Sequence, residues 1–171
     1  VETPNRRINT SIPAPGTKAI IESLDFVEAR SMHGQMPIVW KRAENFNVFD
    51  IADNKLIDFT STIFVSNTGH SNPRIKRYIQ KSLKNNFIHS YAYIHKLREK
   101  YLKKLVKFSG NGLEKAFLMS AGTEATEAAF KLMRMYGKNQ KKRKLGIICF
   151  EGNWHGRTMA SQMMSGNKKQ S

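Results

Sequence analysis

The sequence predicts an α/β protein in which an antiparallel β meander precedes the first part of a mostly parallel sheet. Three observations carry that prediction. Between about Met36 and Ser66, short apolar stretches alternate with turn residues, as half-buried strands do. Two apolar runs, 116–119 and 145–150, flank a segment with apolar residues at Ala125, Ala128, Ala129, Leu132, Met133 and Tyr136, the spacing of one helical face, so the three make a strand, helix, strand unit. Each run then opens into a loop rich in reactive side chains: Ser120-Ala121-Gly122-Thr123 after the first, and Glu151-Gly152-Asn153-Trp154-His155-Gly156-Arg157-Thr158 after the second.

The elements follow in order. Residues 1–35 hold Pro4, Pro13, Pro15 and Gly16 with little periodicity, and they read as an extended arm with a short helix over 18–30. Strands are expected at 38–40, 46–50, 56–59 and 63–65, with a turn at Asp53-Asn54-Lys55. The stretch from Asn67 to Pro73 breaks the meander and starts a helix, with Asn72 placed to cap and Pro73 at the first helical position. Ile75, Tyr78, Ile79 and Leu83 give that helix one apolar face, and a further helix is expected over 93–108 on Ile94, Leu97, Tyr101, Leu105 and Phe108. Gly137 is expected to end the helix of the strand, helix, strand unit. Two parallel strands cannot form a sheet alone. With a first residue that is Val and no further strand after Met164, the sequence reads as the amino-terminal piece of a longer protein.

Composition narrows the class. Cys149 is the single cysteine, so no internal disulfide can form; within an apolar run it is expected to be a small buried side chain, which suits a reducing compartment. The opening residues lack the apolar core of a signal peptide, and no stretch reaches membrane-spanning length, so a soluble, cytoplasmic protein is expected. The net charge of +16 raises nucleic acid as a partner. Residues 1–70 hold 7 Lys/Arg and 8 Asp/Glu, whereas residues 71–171 hold 22 and 5, so the excess belongs to the second part. Its densest run, 138–144, lies between a helix end and a strand without interleaved aromatics to stack on bases, and is expected to be a solvated loop. Nucleic-acid binding is therefore a minority reading.

The loops carry the chemistry. At the start of a helix, Gly122 leaves room for an anion to approach the backbone, Thr123 adds a hydroxyl, and the unpaired N–H groups and helix dipole favour negative charge. Alone, such a Gly-Thr pair is more often a turn and a cap. The second loop strengthens it, because at the carboxyl edge of a parallel sheet Trp154 can stack on a flat ligand held by the first loop, and Arg157 can clamp a carboxylate. Glu124 and Glu127, in the first helical turns, are expected to complement the dipole. His70 is expected to hold a turn by hydrogen bonding, and His89 and Tyr91 are either pocket or packing residues. No metal-ligand spacing is seen.

The residues 120–132, Ser-Ala-Gly-Thr-Glu-Ala-Thr-Glu-Ala-Ala-Phe-Lys-Leu, together with Trp154-His-Gly-Arg-Thr158, resemble the class III aminotransferases of the ornithine, acetylornithine and 4-aminobutyrate type. Upstream, Asp50 to Phe59 and Gly69-His70-Ser-Asn-Pro73 resemble the family's amino-terminal hairpin and its Gly-His-x-x-Pro turn, so the likeness runs from about Pro37 to Gly166. It implies the fold of the fold-type I pyridoxal-phosphate-dependent transferases, here incomplete: residues 1–70 would be the amino-terminal arm and small-domain meander, and 71–171 the start of the cofactor-binding large domain. It also implies pyridoxal 5'-phosphate as cofactor, with Gly122 and Thr123 at its phosphate, Trp154 on its ring, His155 in the same motif, and Arg157 at a substrate carboxylate. No catalytic residue is expected within the chain, since the family's Schiff-base lysine and its pyridine-nitrogen aspartate would lie beyond Ser171. The expected reaction moves an amino group from an amino acid or amine to a 2-oxo acid, in a homodimer when the protein is whole. An aminomutase, decarboxylase or racemase on the same scaffold is the alternative.

Overall fold

Two tight reversals, at Asn45 (φ 53°) and Asp53 (φ 57°), use side chains that tolerate the left-handed region and fold residues 40–57 into three antiparallel strands. In the computed structural model, which describes residues 1–140 and 144–167, these are β3 (Trp40–Glu44), β4 (Asn47–Asp50) and β5 (Lys55–Ile57). Register runs Arg42 opposite Phe49 and Ala43 opposite Val48 in one pair, then Val48 opposite Leu56 and Phe49 opposite Lys55 in the next. The arm joins them: β1 (Glu2–Thr3) and β2 (Arg6–Arg7) extend the sheet to the order β1-β2-β5-β4-β3. The molecule divides into two units, Val1–Tyr91 and Ala92–Ser171.

In the first unit the arm is held by polar side chains more than by apolar packing. Asn54 is fully buried. Its Oδ1 accepts from the N–H groups of Asn9 (2.7 Å) and Thr10 (3.1 Å), while its Nδ2 donates to Asp50 Oδ2 (2.7 Å) and Thr10 Oγ1 (2.8 Å). Asp50 Oδ1 in turn accepts from the N–H groups of Ala52 and Asn54, both at 2.9 Å. Every hydrogen-bonding position of the amide is thus used, the condition on which a polar side chain can be buried. Asn47 repeats the device, donating to Asn5 O (2.8 Å) and Leu56 O (3.0 Å). Val48 and Phe49 supply the apolar interior, with the Arg42 guanidinium 3.3 Å from the centre of the Phe49 ring.

Helix α1 (Thr17–Val27) follows the arm, somewhat shorter than 18–30. The strand expected at 63–65 is not one. Residues Ser61–Phe64 form the short turn α2, with φ between 49° and 69° at all four positions. The reason lies at Asp58, whose Oδ1 accepts from Thr60 N (2.8 Å) and Thr60 Oγ1 (2.7 Å), so the chain curls around the carboxylate before a strand can extend. Helix α3 (Pro73–Lys84) begins as expected, with Asn72 Oδ1 accepting from Arg74 N at 3.0 Å and Pro73 at the first position.

The second unit contains α4 (Lys96–Ser109), α5 (Gly122–Asn139) and α6 (Met159–Met163). The strands expected at 116–119 and 145–150 are absent as such: both runs are irregular and take part in no ladder among the described residues. Their physical lack is neighbours, since an extended segment becomes a strand only when a partner takes its N–H and C=O groups. Phe117, Ile148 and Phe150 are exposed as a result, and Cys149 is exposed rather than buried. Gly137 does not end α5, which runs on to Asn139. Its lack of a side chain serves packing instead, because a Cβ there would collide with the Lys144 carbonyl. Part of the basic run expected as a loop, 141–143, lies outside the described residues. Among the described residues no helix is long and apolar enough to cross a membrane.

Candidate functional site

The first loop enters α5 in a form suited to an anion. Ala121 is extended (φ −143°, ψ 162°) and offers no side-chain cap, so the N–H groups at the start of the helix have no partner within it. A Cβ on Gly122 would meet no atom within 4 Å, which leaves open space where the anion is expected. Glu124 turns back to accept from Ser120 N at 2.9 Å and fixes the loop from inside its own helix, as expected of a carboxylate in the first turn.

Glu127 does something different. It caps the next helix rather than its own: Oε1 accepts from Thr158 Oγ1 (2.6 Å), Ala160 N (2.9 Å) and Ser161 N (3.2 Å), at the start of α6. The Thr158 hydroxyl foremost, against some cost of burial, and then the two N–H groups hold its carboxyl below the usual range. From the other side, Thr123 Oγ1 lies 2.8 Å from Thr158 Oγ1 and 3.1 Å from Ser161 Oγ, and Ser161 Oγ donates to Thr123 O at 3.2 Å. Ser161 is fully buried at this junction. Thr158 and Ser161 went unread in the sequence. The signal available was modest, a threonine at the cap position of a five-residue helix too short to announce itself by periodicity.

Gly156 completes the closure. It has φ +127°, and a Cβ on it would collide with the Thr123 side chain. The second loop therefore lies directly on the first. On that loop Trp154 is 64% exposed, so its ring is free to take a ligand, and the Arg157 guanidinium sits 5.6 Å from the ring centre. His155 Nε2 is 2.9 Å from Asn153 Nδ2, an internal contact that stiffens the loop. Asn153 Oδ1 is buried with no hydrogen-bond partner, an acceptor held ready beside the tryptophan. No group of His, Cys, Asp or Glu among the described residues is arranged to hold a metal.

In the first unit, the expected turn role of His70 is met: its ring Nε2 lies 2.7 Å from Asp58 Oδ2 and its backbone N–H donates to Asn45 O at 2.6 Å, while the ring stands edge-on to Trp40 at 5.6 Å. Burial would raise the Asp58 carboxyl, but hydrogen bonds from Thr60, His70 and Thr62 outweigh it and bring it down to about 2. A cavity of about 370 Å³ opens beside this pair, between Phe46, Ser61, Asn67 and Gly69. His89 and Tyr91 are exposed, with Tyr91 at φ 44°.

A family model for class-III aminotransferases matches residues 29–171. The chain is 40% identical over 134 residues to the mitochondrial acetylornithine aminotransferase of Candida glabrata, covering 75% of this chain and 31% of that protein. To the acetylornithine aminotransferase of Nitrosomonas europaea it is 34% identical over 137 residues, 80% of this chain and 34% of that one. The ornithine aminotransferase of Plasmodium yoelii superposes with a TM-score of 0.66 at 28% identity, over 79% of this chain and 35% of that one. The chain thus spans about a third of the length of the curated relatives it matches. It has their α/β fold in part, with the fingerprint loops at the head of α5 and before α6, and it belongs to the class-III aminotransferase family.

Proposed function

We propose that these residues form the phosphate cradle and ring clamp of a pyridoxal-phosphate-dependent transaminase that acts on an amino acid bearing a carboxylate and on a 2-oxo acid. The observation that carries the reading is the seating of Gly156 on Thr123, which sets an unpaired helix start, an exposed indole and a guanidinium within one pair of loops. The residues fit the cofactor: open space at Gly122 and the free N–H groups after it suit a phosphate, and Trp154 suits a flat ring. Bound there, pyridoxal phosphate supplies the electron sink that amino transfer needs.

The chain's own residues have defined tasks in this reading. Backbone N–H groups of Gly122, Thr123 and Glu124 bind the dianion, with the α5 dipole in support. Trp154 covers one ring face and excludes water from it. His155, through Asn153, keeps the loop in shape, and Arg157 orients the substrate by its carboxylate. Glu127 is tied to α6 and holds no proton for the reaction. The lysine that exchanges protons with substrate would come from the remainder of the protein, as would the covering of the exposed Phe117, Ile148 and Phe150, for which a homodimer of the whole protein is the proposed arrangement. A reducing compartment, cytosolic or mitochondrial, suits the exposed Cys149 thiol.

The test is an assay of the whole protein with cofactor, an ω-amino acid donor and a 2-oxo acid. The reading expects amino transfer that depends on both substrates; loss of carbon dioxide or racemisation without transfer would replace it with another chemistry on the same scaffold. Arg157→Ala is expected to raise KM for a carboxylate-bearing donor by roughly ten- to a hundredfold, the effect of losing about 1.5–3 kcal/mol of charge-assisted contact, and to leave a simple amine little changed. Equal effects on both donors would assign Arg157 to the scaffold.

A further inference from the structure

The side chains that join the two loops form a chain of hydroxyls that ends on one carboxylate. Thr158 Oγ1 lies 2.6 Å from Glu127 Oε1, and an ionised carboxylate has no proton to give, so Thr158 commits its only hydroxyl proton there. Ser161 commits its proton to Thr123 O at 3.2 Å. Thr123 Oγ1 is 2.8 Å from Thr158 Oγ1 and 3.1 Å from Ser161 Oγ. Since both neighbours have given their protons elsewhere, Thr123 is the donor in either contact. The same carboxylate oxygen takes two N–H groups at the start of α6, Ala160 N at 2.9 Å and Ser161 N at 3.2 Å. One charge therefore fixes both the direction of the hydroxyl chain and the seat of the helix that follows Arg157.

We infer that Glu127 is a positioning residue: its carboxylate orders Thr123, Thr158 and Ser161 into one directed set of hydrogen bonds and so holds the loop bearing Trp154 and Arg157 on the first loop. The inference rests on the cofactor reading only for what the loop is held to receive. With its hydroxyl proton turned toward Thr158 or Ser161, Thr123 meets a phosphate through its backbone N–H. An uncharged acceptor at 127, as in Glu127→Gln or protonated Glu127, takes the Thr158 proton through its carbonyl oxygen without the charge and so holds the set more weakly. Glu127→Ala frees that proton, lets the Thr123–Thr158 contact reverse, and leaves the start of α6 uncapped.

The charged and titratable groups near this set are few. Helix α5 contributes Glu124, which is held by Ser120 N, and Lys131; the second loop contributes Glu151, His155, held by Asn153, and Arg157, beside Trp154; α6, Met-Ala-Ser-Gln-Met, has none. A transition that belongs to Glu127 is recognised by its disappearance in Glu127→Gln.

The test uses the whole protein, labelled with 5-fluorotryptophan and without cofactor. Fluorine resonances report Trp154 and Trp40 separately, the first assigned with Trp154→Phe. On acidification the Trp154 line is expected to move toward its solvent-exposed position, at a pH below the 4.5 usual for a glutamate. Glu127→Gln, uncharged at every pH, is expected to give the acid-side line throughout and to lose the step. Glu127→Ala is expected to give the moved line at all pH values, with an unchanged far-ultraviolet circular dichroism spectrum as the control for folding. Thr158→Val, which keeps the carboxylate and its two N–H bonds, provides the second variant and is expected to move the line part of the way. A Trp154 line indifferent to Glu127→Ala and Thr158→Val, or a step that survives in Glu127→Gln, would overturn the inference. Titration with pyridoxal 5'-phosphate separates the two readings. A wild-type chain that shows the step but no cofactor response would sink the cofactor reading and leave the positioning role standing. Binding weakened about tenfold in Glu127→Ala supports both.

Discussion

The two units of this chain solve the same problem, satisfying backbone polar groups, in opposite ways. In the first, β3, β4 and β5 are contiguous, and each finds its partner a two- to four-residue turn away. What remains is taken up by buried amides, Asn54 and Asn47, within the same unit. In the second, the runs 116–119 and 145–150 have the residues of strands but pair with no strand among the described residues, and the loops around α5 and α6 are ordered by side chains: Glu127, Thr123, Thr158 and Ser161. An antiparallel sheet can be completed locally, whereas a parallel one needs crossovers and neighbours distant in sequence. A site at the edge of such a sheet can nonetheless be held in place by its own loops.

If the first unit is self-sufficient through Asn54, then Asn54→Ala should be the most damaging single change. It removes four side-chain hydrogen bonds and leaves Asp50 under-partnered, an expected loss of about 3 kcal/mol or more, read as a lower urea midpoint for the sheet. A loss below about 1 kcal/mol would mean the arm is dispensable. The second unit should be most sensitive at Gly156. Gly156→Ala places a methyl group against Thr123 at φ +127°, costing about 2 kcal/mol or more, and should free Trp154 while leaving the sheet's melting curve in place. Coupled loss of both would break the comparison.

Acid sharpens it further. The Asp58 carboxyl, held at about 2 against 3.8 ordinarily, lends the first unit stability that is complete above pH 4 and disappears as the pH falls toward 2. Melting of the sheet followed from pH 5 to pH 2 should show this slope, and Asp58→Asn should flatten it; an unchanged slope would assign the acid sensitivity elsewhere. The smallest effect is expected at the surface. Lys41 Nζ and Asp53 Oδ2 meet at 2.7 Å with both side chains about half exposed, and Lys41→Ala should cost well under about 1 kcal/mol, diminishing with added salt.

Much of this was legible beforehand, for reasons that differ by region. The turns and the later strands of the meander could be read because turn residues and alternation are local, although its first strand, expected at 38–40, lies at Trp40–Glu44, and the Asn72-Pro73 start of α3 because a cap and a proline act within one turn. The second unit's motif loops were legible through resemblance, and Gly122, Thr123, Trp154 and Arg157 lie on the two loops that Gly156 brings together. Beyond the unformed strands at 116–119 and 145–150 and the exposed Cys149, three things were not legible. Residues 63–65 have a strand's composition but obey the Asp58 carboxylate. Gly137 looked like a helix terminator and serves a close approach by Lys144. Glu127 looked like a dipole partner of its own helix and binds another, 31 to 34 residues further along. The last two depend on contacts that the local pattern does not encode.

The central claim is that the first unit closes its sheet by strand pairing and the second closes its site through the side chains of Glu127, Thr123, Thr158 and Ser161, and amide hydrogen exchange tests it residue by residue. Protection is expected across Arg42, Val48 and Phe49 in the paired strands, and at Ala160 and Ser161, whose N–H groups rest on Glu127, while the amides of 116–119 and 145–150 exchange at once. Strong protection of those two runs, or free exchange at Ala160 and Ser161 beside a protected sheet, would contradict it.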